Sequence, residues 1–424
     1  MDYRLFQELY DEQCKKSPLQ IYDFIYALLN QAILLPISAD SQDTALTIFS
    51  TLNNRGLPLS DADIFKAKIY NTKQTDKDKD LFISQWQSLE KEATEAQESI
   101  QQLFYYFMFY LRAKDNDVSS TTPGVRKYYS ANKFEKLLYR DVIQDLRIVL
   151  NLWKVVNTNQ DLPDENWDNN KKIRKTLDIL KSYPNEFWKY PVVIYYLSHR
   201  KDENFDDEFL LFLNKLAGEL MTRFILYPTI NIVKADIMKL NAKIVNDKHP
   251  DFAFRDINCE ETELKKKIII PHRNIIRMLL KSYAYSHQEN LLPENWQIEH
   301  ILPQKWQSSF FTNMDDSIVE EKIEHIGNKT PFEKKLNIIA SNGYFKKKQE
   351  EYKKSAVEVT KILVTSIDND WTIGNIEHRD EIVSSEIIEL LKKWNDEYAV
   401  GIGNKLPSAE DLAKIEEFKQ KGWI

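Results

Sequence analysis

Cysteine is scarce in this chain of 424 residues. Only Cys14 and Cys259 are present, far apart, which excludes a disulfide framework and a four-cysteine zinc knuckle. Net positive charge is also lacking: 58 Lys+Arg against 65 Asp+Glu give a formal charge of -7, so contact with nucleic acid has to come from a local basic patch. Glycine is low, 9 residues against 14 Pro, which argues against Gly-rich linkers and low-complexity arrays. No apolar run approaches the ~18 residues of a membrane span, and an N-terminus with Asp2, Arg4, Glu8, Asp11 and Glu12 lacks the apolar core of a signal peptide. The expectation is a cytoplasmic protein with no membrane partner. The sequence has no G-x-x-x-x-G-K-[ST] phosphate loop, no H-E-x-x-H zinc motif and no serine nucleophile elbow.

What is present is a globular composition, 42% hydrophobic, 12% aromatic and 29% charged, in a chain long enough for two to three domains of about 150 residues. Helical spacing dominates. Ile21, Phe24, Ile25, Leu28 and Leu29 fall at i, i+3, i+4, i+7 and i+8, as do Ile100, Leu103, Phe104, Phe107 and Met108, so both stretches read as core helices. Ala45, Ile48, Phe49 and Leu52 repeat the pattern, Asn54-Arg55-Gly56 interrupts it, and Ser60 with Asp63 caps a restart through Ile64, Phe65 and Ile69. The polar stretch 113–125 reads as a loop and a boundary. Strand signals are confined to Ala32–Ile37 and Gln297–Ile301, and the tail from Ser408 reads as a final amphipathic helix. The fold class is therefore mainly α, with residues 126–285 as a helical middle domain and 401–424 as a C-terminal helix.

One histidine of the seven sits in a chemically loaded context: Gln297-Ile298-Glu299-His300-Ile301-Leu302-Pro303. In an extended strand adjacent side chains point to opposite faces, so Glu299 and His300 could share a site only if the backbone turns there; Pro303 stops any helix that follows. Downstream lie Gly327-Asn328, Leu336-Asn337, Ser341-Asn342, and Phe345 followed by Lys346, Lys347 and Lys348. In this order the five blocks resemble the His-Me finger (HNH) nuclease domain of GmrSD-type restriction endonucleases. The resemblance covers about residues 290–360, extends to Ile376 and Arg379, and sets a nuclease domain at 286–400.

The resemblance implies a small ββα-metal module that hydrolyses phosphodiesters. His300 would be the general base, and Glu299 and Asn337 oxygen ligands of a Mg²⁺ or Mn²⁺ ion. Asn328 would orient the His300 ring or its loop, and Asn342 would be an alternative ligand or a helix-end brace. The Lys346–Lys348 run would track phosphates, since residues 327–354 hold eight Lys against three Glu. Glu324-His325-Ile326 repeats the Glu-His pair without a following Pro, and His325 is read as structural. The implied activity is a modification-dependent DNA endonuclease of phage defence acting on modified DNA; the alternative is a non-catalytic DNA-binding or partner-binding remnant.

The segment from Ala45 to Lys66 resembles the C-terminal end of the family's other half, a ParB-like nucleotide-hydrolysing domain, which sets residues 1–112 as a truncated part of it. Asn53, Arg55, Asp63 and Lys66 are its candidate nucleotide or interface residues. The Asp-Gly-Gln-Gln-Arg motif that opens this domain in the family is missing, so no complete nucleotide site is expected. A homo-oligomer, or a separately encoded N-terminal partner bound through an apolar surface on residues 1–70, is expected instead.

Overall fold

The computed structural model describes residues 3–16, 18–33, 60–138, 141–163, 165–254, 261–307, 315–366 and 370–403, with isolated positions 38, 44 and 48. The chain divides into two units, residues 1–60 and 61–424. The first holds helices α1 (Tyr3–Lys16) and α2 (Pro18–Asn30). The predicted helix at Ile21–Leu29 is present, but it is not a core helix: Ile21 is buried while Phe24, Leu28 and Leu29 are exposed, together with Tyr22 and Tyr26. Helical spacing identifies a helix but not what covers its stripe. Most of the predicted strand Ala32–Ile37, the turn around Asn53 and Arg55, Cys259 and the predicted helix from Ser408 lie outside the described residues.

The second unit is mainly α. It runs through α3 (Asp61–Tyr70), α4 (Asp76–Glu95), α5 (Ile100–Lys114), α6 (Val125–Leu138), α7 (Val142–Thr158), α8 (Lys171–Leu180), α9 (Lys189–His199), α10 (Phe205–Leu226), α11 (Lys234–Ile244), α12 (Glu261–Ile269) and α13 (Ile276–His287). Helix α5 starts where Ser99 accepts from the Gln102 amide at 3.1 Å, satisfying one of the unpaired donors of the first turn, and all five residues of its predicted stripe are buried. A single apolar core continues from Phe65 to Tyr398 and is rich in aromatic edge contacts such as Phe65–Phe104 and Trp167–Phe209. The polar stretch 113–125 does not interrupt it. That loop wraps the buried Arg112, which donates to Asp117 at 2.7 Å and to the Ser119 carbonyl at 2.7 Å.

Strand β1 (Trp296–His300) pairs antiparallel with β2 (Lys329–Glu333), with Glu299 opposite Thr330 and His300 opposite Lys329. Between them lies α14 (Asp316–Ile323). After β2 come α15 (Lys334–Ala340), α16 (Phe345–Tyr352), α17 (Glu358–Ser366) and the long α18 (Ile373–Gly403). Ile301, Leu302, Val319, Ile323, Phe332, Phe345, Tyr352 and Trp371 form a second, smaller core, while Trp296 packs into the large one. The hairpin therefore sits at the seam of two apolar clusters, which fixes its position from both sides.

Candidate active site

Strand β1 ends at His300, and the chain after it is clamped. The Ile301 amide donates to the Asn328 carbonyl at 2.9 Å. The Asn328 side chain accepts from the Leu302 amide at 2.8 Å and donates to the Leu302 and Ile323 carbonyls at 3.0 Å each. Asn328 is fully buried, so its amide meets all its partners inside the protein and holds the loop after His300, not the imidazole ring itself. The turn before it needs Gly327: a Cβ there would lie 2.3 Å from the Ile376 carbonyl oxygen and 2.6 Å from Asp380 Oδ1. Asp380 accepts from the Gly327 amide at 2.7 Å and meets His325 Nδ1 at 2.6 Å, and buried Arg379 donates to the Gly327 and Lys329 carbonyls. His325 is thus a buried brace for the Gly-Asn turn.

The His300 imidazole faces Glu324 and Gln304. Its Nε2 lies 3.6 Å from Glu324 Oε1 and 3.4 Å from Gln304 Nε2, contacts too long to hold the ring tightly. Lys329, opposite in register and itself buried, pairs with Glu324 at 3.0 Å. Burial first, then the Lys329 and Lys348 charges, pull the imidazole from its ordinary value of 6.5 down to about 4, against the opposing pull of Glu324. Burial alone would raise the Glu324 carboxyl, but Lys329 holds it below the ordinary carboxylate value. His300 is therefore neutral near pH 7, with a ring nitrogen able to accept a proton.

This depression has a consequence for stability. A histidine whose folded pKa lies below its unfolded value adds stability that is complete above 6.5 and lost as pH falls from 6.5 through about 4. The shift corresponds to roughly 3 kcal/mol at most. Denaturation of the wild type and of His300→Asn at neutral pH and near pH 4 should show a smaller acid loss in the variant. Equal losses in both would mean that His300 titrates normally.

Glu299 points elsewhere. Its Oε1 accepts from Lys348 Nζ at 2.5 Å and from the Tyr352 hydroxyl at 2.9 Å, all three residues being buried. Strand alternation explains why it and His300 do not meet: the backbone turns after His300, not at Glu299. Lys348 also donates to the His300 carbonyl at 2.7 Å. The expectation that Lys348 belongs to a phosphate track is thereby corrected. On α16 the positions Phe345, Lys348 and Tyr352 face inward, and of the three lysines in the run Lys346 and Lys347 are exposed.

Asn337, on α15, donates to Gln297 Oε1 at 3.2 Å, and Gln297 shares a strand face with Glu299. Both bonds to Glu299 fall on Oε1, leaving Oε2 and the Asn337 amide oxygen without partners among the described residues. Both are hard oxygens of the kind Mg²⁺ or Mn²⁺ takes, but Glu299 is buried against Lys348 and turned to the strand face away from His300, so the side chains as placed do not gather an ion beside the imidazole; no group of three or more His, Cys, Asp and Glu occurs among the described residues. Asn342 is used otherwise: it donates to the Lys305 carbonyl at 2.6 Å, as a brace between loops. Asp63 lies on α3 and Lys66 sits 5.8 Å over the Trp86 ring, while Asn53 and Arg55 are outside the described residues.

Sequence reading missed Glu324, Gln304 and Lys329 around His300, and Asp380 behind Gly327. The hairpin register alone brings Lys329 opposite His300, and that register is set by a pairing partner about thirty residues away.

These features define a mainly helical protein with an antiparallel hairpin and a following helix built around one neutral, half-sheltered histidine. Residues 250–384 match the family described as GmrSD restriction endonucleases, C-terminal domain. A comparison with curated proteins finds no match. The family is one of restriction endonucleases of the phage-defence type, which act on DNA. No helix among the described residues is long and apolar enough to cross a membrane.

Proposed function

We propose that the protein is a metal-dependent DNA endonuclease of the HNH type, working in the cytoplasm on modified DNA. The observation that carries this reading is His300: a neutral imidazole at the end of β1, its following loop clamped by Asn328, within the matched domain. His300 takes a proton from water as the water oxygen bonds to phosphorus; the P–O3′ bond breaks, leaving a 5′-phosphate and a 3′-oxygen that is protonated from solvent. A Mg²⁺ or Mn²⁺ ion, were Glu299 to leave Lys348 and join Asn337 on it, would supply Lewis-acid stabilisation of the leaving oxygen. Lys346 and Lys347 would meet phosphates. The exposed apolar side of α2 is where a second copy would dock.

The test is cleavage of modified and plain DNA with Mg²⁺ or with EDTA, beside His300→Ala. Because the imidazole is the only base in the scheme, the variant should lose at least ~100-fold in rate while keeping its melting temperature. Undiminished cleavage by His300→Ala would remove the assignment. The buried Glu299–Lys348 pair favours a second reading, a DNA-binding module without catalysis; binding to DNA with no cleavage under any metal would establish that one.

A further inference from the structure

The inference here rests on the DNA reading above and concerns the outward side of α15. That helix turns Leu336 and Ala340 towards the small core, yet its outer side is not polar: Ile338 is 66% and Ile339 63% exposed. Lys334 and Lys335 precede them by three to five positions, so Lys334 and Ile338, and Lys335 with Ile338 and Ile339, share one helix face. Lys334, Lys335, Lys346 and Lys347 are all exposed, and none has an ion-pair partner among the described residues. Lys353 and Lys354, at the end of α16, are by contrast paired with Glu350 and Glu351. Asn337 immediately precedes the two isoleucines, so this face adjoins the candidate active site.

Two neighbouring isoleucines offer far too little area for a protein interface, which needs roughly 800 Å² per partner. Two unpaired cations on the face of an apolar point, Lys334 and Lys335, instead match a polyanion whose interior is apolar and stacked. We propose that this face is a DNA wedge: Ile338 and Ile339 press into a base step of duplex DNA while Lys334 and Lys335 hold the phosphates beside it. Apolar side chains inserted between base steps unstack them and kink the duplex.

The experiment uses the full chain in EDTA, so that nothing is cut, with a plain duplex carrying 2-aminopurine in place of one adenine. Binding of the wild type should raise 2-aminopurine fluorescence. Ile338→Ala/Ile339→Ala should abolish the rise and weaken binding about tenfold without changing the salt slope. Lys334→Ala/Lys335→Ala should lower the slope of log affinity against log salt by about 1.8, because each lost phosphate contact removes about 0.9. Both isoleucines are largely exposed, so folding should survive, and an unchanged melting temperature checks this. DNA binding by the isoleucine variant with wild-type affinity and fluorescence would overturn the wedge and leave the nuclease reading standing. A change in oligomeric state without a change in DNA binding would assign the face to protein contact and equally overturn it. Failure of the wild type to bind DNA would overturn both readings.

Discussion

Lys348→Ala is expected to destabilise the hairpin module by about 3–5 kcal/mol, the range for breaking a buried ion pair from one side. The loss has two parts. Glu299 keeps only the Tyr352 hydroxyl, so a carboxylate removed from water faces no cation. The His300 carbonyl also loses a donor at 2.7 Å at the end of β1. Native-state hydrogen exchange of the amides in β1 and β2 reads this directly, because local opening is measured where it occurs. Lys346→Ala/Lys347→Ala provides the contrast: both side chains are exposed, so stability should stay within about 0.5 kcal/mol while DNA affinity falls in a salt-dependent manner. If Lys348→Ala protected the hairpin as well as the double variant does, the pair would contribute nothing to the module. A Glu299→Leu/Lys348→Met double replacement should regain much of the loss, since an apolar pair of similar volume can replace a buried ion pair.

The behaviour of this lysine run shows how much of the molecule could be read from its residues. Helices were legible wherever an apolar stripe was continuous, as in α5, because period and burial coincide there. Strand β1 was legible to within one residue, bounded by Pro303 and by a polar approach. Burial of charged residues was not. Phe345, Lys348 and Tyr352 stand at i, i+3 and i+7, an inward spacing, but a lysine on that stripe counts as solvated until a buried carboxylate is placed beside it. Glu299 supplies that carboxylate from another element, and no local pattern connects the two. The exposed stripe of α2 is the converse case: its spacing is that of a core helix, and among the described residues it has no covering surface. The residues around His300 were half legible. Asn328 followed from its motif, whereas Glu324 and Lys329 depend on the turn geometry and on the register of β2.

Asn328 carries the second large expectation. Asn328→Ala would leave the Leu302 amide and the Leu302 and Ile323 carbonyls unsatisfied in a fully buried place, at about 1–3 kcal/mol for each group that finds no water. The loop from Ile301 to Pro303 would then be free to move, and with it the end of β1 that carries the imidazole. Catalysis tolerates such movement poorly, since displacement of a base by about 1 Å can cost about 100-fold in rate. Asn328→Asp separates the two effects. It keeps an acceptor for the Leu302 amide but sets a carboxylate oxygen against two carbonyls, so it should destabilise at least as much as Ala near neutral pH and recover as pH falls and the acid regains a donor. The measurement is cleavage rate against Mg²⁺ concentration for both variants. A positioning role predicts a lower maximal rate at an unchanged metal requirement, because Asn328 touches neither Glu299 nor Asn337. A raised metal requirement would place Asn328 at the ion instead of behind the histidine.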